Sequence, residues 1–397
     1  MAALDRARSG LTPAQLFTCL VLLWLSGAGL RLTLLAVPPV IPLIHADLAL
    51  TETEIGALGS LPSLLFALAA VPGALLIARL GARATLIAGL LLTALGSAAR
   101  GAAPDVVVLY LATGVMGAGI AVMQPALPPL VRAWLPDRIG FATAVYSNGL
   151  LVSETLAVAL TIPFVLPLVG GSWRWSFVVW SLPVLLTAVL VWALAPREAE
   201  PVTAALRRWW PDWRNPLVWR LALMLGGVNT VYFATNTFLP DYLGSLGRGD
   251  LINPALTALN LAQLPASFAM LAWTGSLATR HWPYVAAGLT LVASVLGMTL
   301  LGGVWIVVFA GVLGCINAAV LVMLLALPAL LAAPQEVHRV SAAMFTMSYP
   351  CAVMLTIIGG GAWDLTGLPI VAFVPVGLGA AAIAALAPGI EFAHLAR

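Results

Sequence analysis

Stretches of some 20 residues without a single charge recur along this chain, and that recurrence constrains its fold more than any other feature. Uncharged runs occupy 55–78, 106–131, 155–173, 175–196, 221–240, 251–279, 340–363 and 365–390. A helix crossing a bilayer needs about 20 largely apolar residues, and lipid tolerates only helices or closed barrels because every backbone group must be satisfied internally. The run 282–335 is too long for one helix and divides at Gly302-Gly303, while shorter runs at 84–99 and 139–153 complete the set. The pattern predicts twelve helices: 15–44, 53–78, 83–100, 105–132, 138–169, 174–196, 216–241, 252–279, 282–301, 304–332, 338–363 and 368–390. Composition agrees, with 62% hydrophobic and 8% charged residues against about a quarter charged in a soluble domain. The expected fold class is an all-α membrane protein.

The distribution of basic residues orients the helices. All 18 are Arg, and the chain has no Lys. With the N-terminus inside, fourteen of them (6, 8, 79, 83, 132, 138, 197, 207, 208, 214, 220, 280, 339 and 397) fall on the cytoplasmic side. Arg100, Arg174 and Arg248 fall outside, and Arg31 lies within the membrane. That bias follows the positive-inside rule and predicts a multi-pass protein of the cell (inner) membrane with both termini cytoplasmic. The run after Arg6 and Arg8 continues past Arg31 without a small-residue cleavage site, so it reads as an uncleaved first helix.

Several function classes are excluded. Without Lys there is no P-loop and no Schiff-base amine. The Arg residues are scattered, which does not suit nucleic acid. Cys19, Cys315 and Cys351 stand far apart in apolar runs, with no metal or disulfide spacing. No His-Asp pair, Asp-x-Asp or Ser-His constellation sits at a membrane face, so an enzyme is not expected. Neither a cofactor nor a metal is expected.

The two halves resemble each other. Gly114-Val-Met-Gly117 parallels Gly311-Val-Leu-Gly314, Ala126-Leu-Pro-Pro-Leu130 parallels Ala326-Leu-Pro-Ala-Leu330, and Asp137-Arg138-Ile139-Gly140 parallels His338-Arg339-Val340-Ser341. The order and the spacing of some 200 residues indicate duplication. The predicted organisation is a six-helix bundle at 1–196, a linker at 197–215 and a second six-helix bundle at 216–397. The linker mixes Arg197, Glu198, Glu200, Arg207, Arg208, Asp212 and Arg214 with Trp209, Trp210 and Trp213, and reads as an interfacial helix on the inner leaflet.

Two parallel six-helix repeats are the layout of the major facilitator superfamily. The chain resembles that superfamily and, within it, the cyanate/2-nitroimidazole transporter family. The residues carrying the resemblance are Leu30-Arg31, the run Leu127–Arg138, Ser172-Trp173-Arg174-Trp175, Phe238-Leu239-Pro240, Ser341–Tyr349 and Trp363-Asp364-Leu365-Thr366-Gly367. The resemblance implies a secondary transporter with substrate held near mid-bilayer between two pseudo-symmetric bundles that rock to alternate access. It also implies a gating loop between spans two and three, here Arg79, Gly81 and Arg83, with Ala78 where the superfamily usually has an acid.

Polar residues inside the spans mark the candidate site. A mid-span charge costs a few kcal/mol or more and normally faces a cavity with a partner. Arg31 lies about 16 residues, or roughly 24 Å, into the first span, and its planar fork suits an anion, nitro or carboxylate group. Trp24 lies seven residues earlier on the same face and reads as an aromatic wall or as packing. Glu154 is the one acid deep in a span and reads either as the proton-coupling carboxyl or as a constant partner for Arg31. Asn229, Tyr232, Phe233 and Asn236 form one face of span seven, and Asn260 and Gln263 repeat the pattern in span eight. Lipid does not tolerate these amides, so they face the cavity or another helix. Gln124, Asn317 and Tyr349 are further mid-depth hydrogen-bonding groups. The glycines at 114, 117, 119, 311 and 314 read as close-packing positions.

A single mid-membrane cation and few other charges argue against sugars, which favour many hydroxyl partners, and against cationic drugs, which favour extra acids. The expected substrate is a small anionic or polar solute, cyanate-like, nitro-aromatic or carboxylate. The alternatives are a drug exporter of the same superfamily and a non-transporting sensor. The expected partners are that solute, a coupling proton and membrane lipid, with no nucleic acid, and the chain is expected to act as a monomer. The topology predicts that cysteines placed at 47 and 248 in a Cys-free background react with an impermeant reagent from outside, whereas those at 208 and 338 do not. Outside labelling at 208 contradicts the twelve-span arrangement.

Overall fold

The structure, a computed structural model, describes residues 12–196 and 209–392. Every regular element among the described residues is a helix. In chain order they are α1 (Pro13–Leu48), α2 (Glu52–Leu80), α3 (Ala82–Gly101), α4 (Val106–Trp134), α5 (Pro136–Leu168), α6 (Trp173–Leu194), α7 (Pro216–Ser245), α8 (Gly249–Leu277), α9 (His281–Leu300), α10 (Val304–Leu331), α11 (Val337–Thr366) and α12 (Pro369–Gly389). Eleven of these are long and apolar enough to cross a membrane among the described residues, and α2 adds a shorter apolar helix at Leu64–Leu80. Each helix lies over one of the twelve expected spans. Of the expected interfacial helix, 197–208 lies outside the described residues. Residues 209–215 form a bend and a turn, in which Trp219 Nε1 donates to the Trp213 carbonyl at 2.8 Å.

Local sequence sets where the helices start and bend. Thr12 with Gln15 and Thr51 with Glu54 form capping boxes at the starts of α1 and α2, each satisfying otherwise orphaned backbone donors. Gly81 joins α2 to α3 at φ 86°, a conformation that a side chain makes costly. Prolines break the long helices by removing a donor. Pro38 and Pro39 interrupt α1, Pro125 lies within a 3-10 turn at Gln124–Ala126 in α4 that Pro128 follows, and Pro265 follows the break of α8 at Ala262.

The chain groups into two compact units, one drawn from Met1–Pro211 with Ala332–Ala342, the other from Asp212–Leu331 with Ala343–Arg397. Inside the first, α3 packs on α4 and α6, α2 on α4, and α1 on α5 and α6. Inside the second, α9 packs on α10 and α12, α8 on α10, and α7 on α12. Four of these five pairings thus recur six helices later. The duplicated glycines serve equivalent contacts. A Cβ on Gly117 of α4 would lie 2.9 Å from Leu65 of α2, and one on Gly314 of α10 would lie 1.9 Å from the Leu259 carbonyl of α8. The starts of α3 and α9 also do matching work. Arg83 donates to the Val191 and Trp192 carbonyls ending α6, and His281 Nδ1 lies 3.0 Å from the Ala387 carbonyl ending α12.

The tightest helix approach in the first unit joins α1 to α5. A Cβ on Gly27 would sit 1.9 Å from the Tyr146 carbonyl oxygen, and one on Gly149 would sit 2.1 Å from that of Trp24. Any side chain there must push the backbones apart. Gly27→Ala is therefore expected to destabilise the protein by roughly 1–3 kcal/mol. Gly114→Ala, with nothing within 4 Å, is expected to be neutral or stabilising. Thermal unfolding of the purified variants checks this, and equal midpoints contradict it.

Candidate substrate site

Close approach of α1 and α5 creates a polar seam. On α1 the participants are Trp24, Gly27, Ala28 and Arg31, spaced three, four and seven apart, which is one helical face. On α5 they are Tyr146, Asn148, Gly149, Ser153 and Glu154. Trp24 Nε1 donates to Asn148 Oδ1 at 2.9 Å, and Ser153 Oγ donates to the Ala28 carbonyl at 3.1 Å. Interhelical hydrogen bonds of this kind contribute about 0.6–2 kcal/mol each in a membrane. One turn further, Arg31 Nε lies 3.9 Å from Glu154 Oε2, with the two side chains 14% and 15% exposed. The ordered part of the seam thus ends in an ion pair at the edge of accessible space.

The backbone carrying Arg31 is irregular. The first segment of α1 ends at Gly29, and Arg31 has φ −125° and ψ −27° before the short turn Leu32–Leu35. Its N–H bonds Ala28 rather than the carbonyl a full turn below. Charged groups and broken helices at membrane depth occur together where they line a cavity or are covered by protein. Gln124 is buried in the 3-10 turn of α4.

In the second unit the expected stripes on α7 and α8 meet. Tyr232 Oη donates to Asn260 Oδ1 at 2.8 Å, Asn260 Nδ2 donates to Asn236 Oδ1 at 3.0 Å, and Asn236 Nδ2 donates to the Tyr232 carbonyl at 2.9 Å. Gln263 Nε2 reaches Asn260 Oδ1 at 3.4 Å. Asn260 is therefore the hub of a network whose rings, Tyr232 and Phe233, stand edge to face at 5.4 Å. The hub lies two residues before the α8 break at Ala262. Asn229, Asn317 and Tyr349 are buried on α7, α10 and α11, and Asn317 Oδ1 has no hydrogen-bond partner among the described residues. Each unit thus holds polar groups at a helix interruption.

The sequence comparisons decide the family. Residues 20–357 match the profile of the Major Facilitator Superfamily. The chain belongs to the major facilitator superfamily. It is 31% identical over 224 residues to the 2-nitroimidazole transporter of Escherichia coli (strain K12), covering 56% of each chain. It is 25% identical over 243 residues to the cyanate transport protein CynX of the same organism, covering 60% of this chain and 62% of that one. The chain thus spans less than two thirds of these relatives' length. A crystal structure of the E. coli fucose:proton symporter FucP superposes with a TM-score of 0.74 at 18% identity, over 96% of this chain and 99% of that one. That likeness fixes the major facilitator fold.

The expected gating residues lie where α2 joins α3. Arg79 is exposed and Gly81 supplies the turn, but Arg83 reaches inward to the last carbonyls of α6 within its own unit, where the helix dipole favours a cation. Outside the spans, Arg248 forks onto Asp250 at 2.9 Å through both Nε and Nη2, and these hydrogen bonds push its guanidinium above the usual value.

Two residues of the first unit escaped the sequence reading. Asn148 is a buried amide inside an uncharged run, a signal identical to the one that singled out Asn229. Arg100, counted with the outer-side cations at the end of the third expected span, is fully buried in the last turn of α3. Its burial was hidden because Arg100 stands where the run 84–99 ends, and run length does not reveal which way an end residue points.

Proposed function

We propose that this major facilitator transporter moves a small anionic or polar solute (cyanate-like, nitro-aromatic or carboxylate) across the inner membrane in symport with protons. The Arg31–Glu154 pair on the broken part of α1 carries this reading. A guanidinium offers a planar fork that binds a carboxylate, nitro or other small anion through two parallel hydrogen bonds. Trp24, two turns earlier on the same helical face, supplies aromatic surface, and the Asn260 network of the second unit supplies amide surface of its own. The names of two relatives, a 2-nitroimidazole transporter and a cyanate transport protein, point to the same chemistry.

Coupling follows from competition for the same cation. An arriving anion takes Arg31 from Glu154 and leaves a carboxylate uncompensated in a low-dielectric site. Taking up a proton neutralises it. Since binding then includes proton uptake, it tightens as pH falls. Rocking of two six-helix halves about that site, with Arg79, Gly81 and Arg83 in the loop that gates it, completes alternating access.

Uptake of labelled cyanate and of 2-nitroimidazole into proteoliposomes tests the reading. Arg31→Gln is expected to insert and fold yet lose transport by tenfold or more, matching the ~1.5–3 kcal/mol of a charged hydrogen bond. Arg31→Lys is also expected to be poor, because an ammonium lacks the fork. Glu154→Gln is expected to bind with little pH dependence, to keep exchange and to lose accumulation driven by a pH gradient. Near-normal uptake by Arg31→Gln reduces that residue to packing, and gradient-driven accumulation by Glu154→Gln removes the carboxyl from coupling.

A further inference from the structure

A guanidinium wholly enclosed in protein is expensive unless something requires it, and Arg100 is such a group. It is 0% exposed in the last turn of α3. Its Nη2 donates to the Thr33 carbonyl of α1 at 2.8 Å and to Ser97 Oγ at 3.0 Å. The guanidinium carbon stands 4.2 Å over the ring of Phe177 on α6, a cation–π contact. Ser97 Oγ in turn donates to the Phe177 carbonyl at 3.2 Å. Nε and Nη1 have no hydrogen-bond partner among the described residues.

The backbone of α1 explains what Arg100 is for. Pro38 has no N–H, so the Leu34 carbonyl loses the donor that a continuous helix would supply. The Val37 N–H turns to Leu34 instead, at 3.4 Å. That shift deprives the Thr33 carbonyl of its own donor, and this is the carbonyl to which Arg100 donates. An orphaned carbonyl here would be unsatisfied, since the site is closed to water. The turn held this way, Leu32–Leu35, begins on the Arg31 carbonyl, which accepts from the Leu35 N–H at 2.9 Å. Rotating the turn therefore moves Arg31.

We propose that Arg100 is a positioning residue that replaces the backbone donor Pro38 withholds from α1 and so fixes the bend that aims Arg31. The link to transport rests on the reading of Arg31 as the anion contact; the link to the bend does not. Phe177 and Ser97 make the arrangement a three-helix joint of α1, α3 and α6.

Nitroxide labels on exposed positions either side of the bend, 17 and 43, measure it in the full-length, Cys-free protein without ligand. The unsubstituted protein and Arg100→Lys, which keeps one donor, are expected to give the same narrow distance distribution. Arg100→Met is expected to shift or broaden it, and to weaken cyanate binding in a thermal-shift titration about tenfold. Pro38→Ala restores a backbone donor, so Arg100→Met in a Pro38→Ala background is expected to change neither distance nor affinity further. An unchanged distribution in folded Arg100→Met overturns the proposal, whatever Arg31→Gln does. Normal cyanate binding by Arg31→Gln overturns the anion reading and leaves the label result to judge the joint alone. If Arg100→Met does not fold, the double variant decides. Its folding supports the proposal, and its failure beside a folded Pro38→Ala overturns it.

Discussion

Backbone contact between α1 and α5 is the constraint on which the rest of the first unit depends. In lipid, apolar side chains gain little by leaving one apolar surface for another, so helices associate through close packing and interhelical hydrogen bonds. Gly27 and Gly149 allow that approach by leaving no Cβ against the opposite carbonyl. Once the backbones touch, the remaining register follows. The Trp24–Asn148 and Ser153–Ala28 hydrogen bonds fall into place, and the next turn brings Arg31 and Glu154 within ion-pair distance. Two charges that lipid would reject separately are thereby admitted together.

Interruption of helices is the second theme. A bilayer favours unbroken helices because they satisfy their own backbone, yet α1, α4 and α8 are each interrupted beside a polar residue of interest. Arg31 lies next to the break in α1, Gln124 opens the turn in α4, and Asn260 precedes the break in α8. A break frees backbone groups that need new partners, and in α1 a side chain supplies one: Arg100 donates to the Thr33 carbonyl.

Much of this was legible in the sequence, because the membrane enforces simple rules. Run length located the twelve helices, and Arg31 and Glu154 stood out because charges inside such runs are costly. Tyr232, Asn236, Asn260 and Gln263 were legible as a polar stripe, though not as one network, since that depends on how α7 meets α8. The pairing of Arg31 and Glu154 was one of two alternatives in the sequence, and the register of α1 on α5, which two glycines permit, brings the two side chains together. Pro38 and Pro39 announced a break in α1, but the donor that compensates for it stands on another helix at a run's edge. Nothing local to Arg100 distinguishes an exposed helix-end cation from a buried strut.

The central claim is that a small anion and a carboxylate compete for one guanidinium. Proton uptake on ligand addition tests it most directly, using purified protein in a weakly buffered solution near neutral pH with a pH indicator and cyanate as the probe. The account predicts uptake approaching one proton per bound anion, and none when Glu154 is replaced by Gln although the anion still binds. Binding of cyanate by the unsubstituted protein with no proton uptake would contradict it.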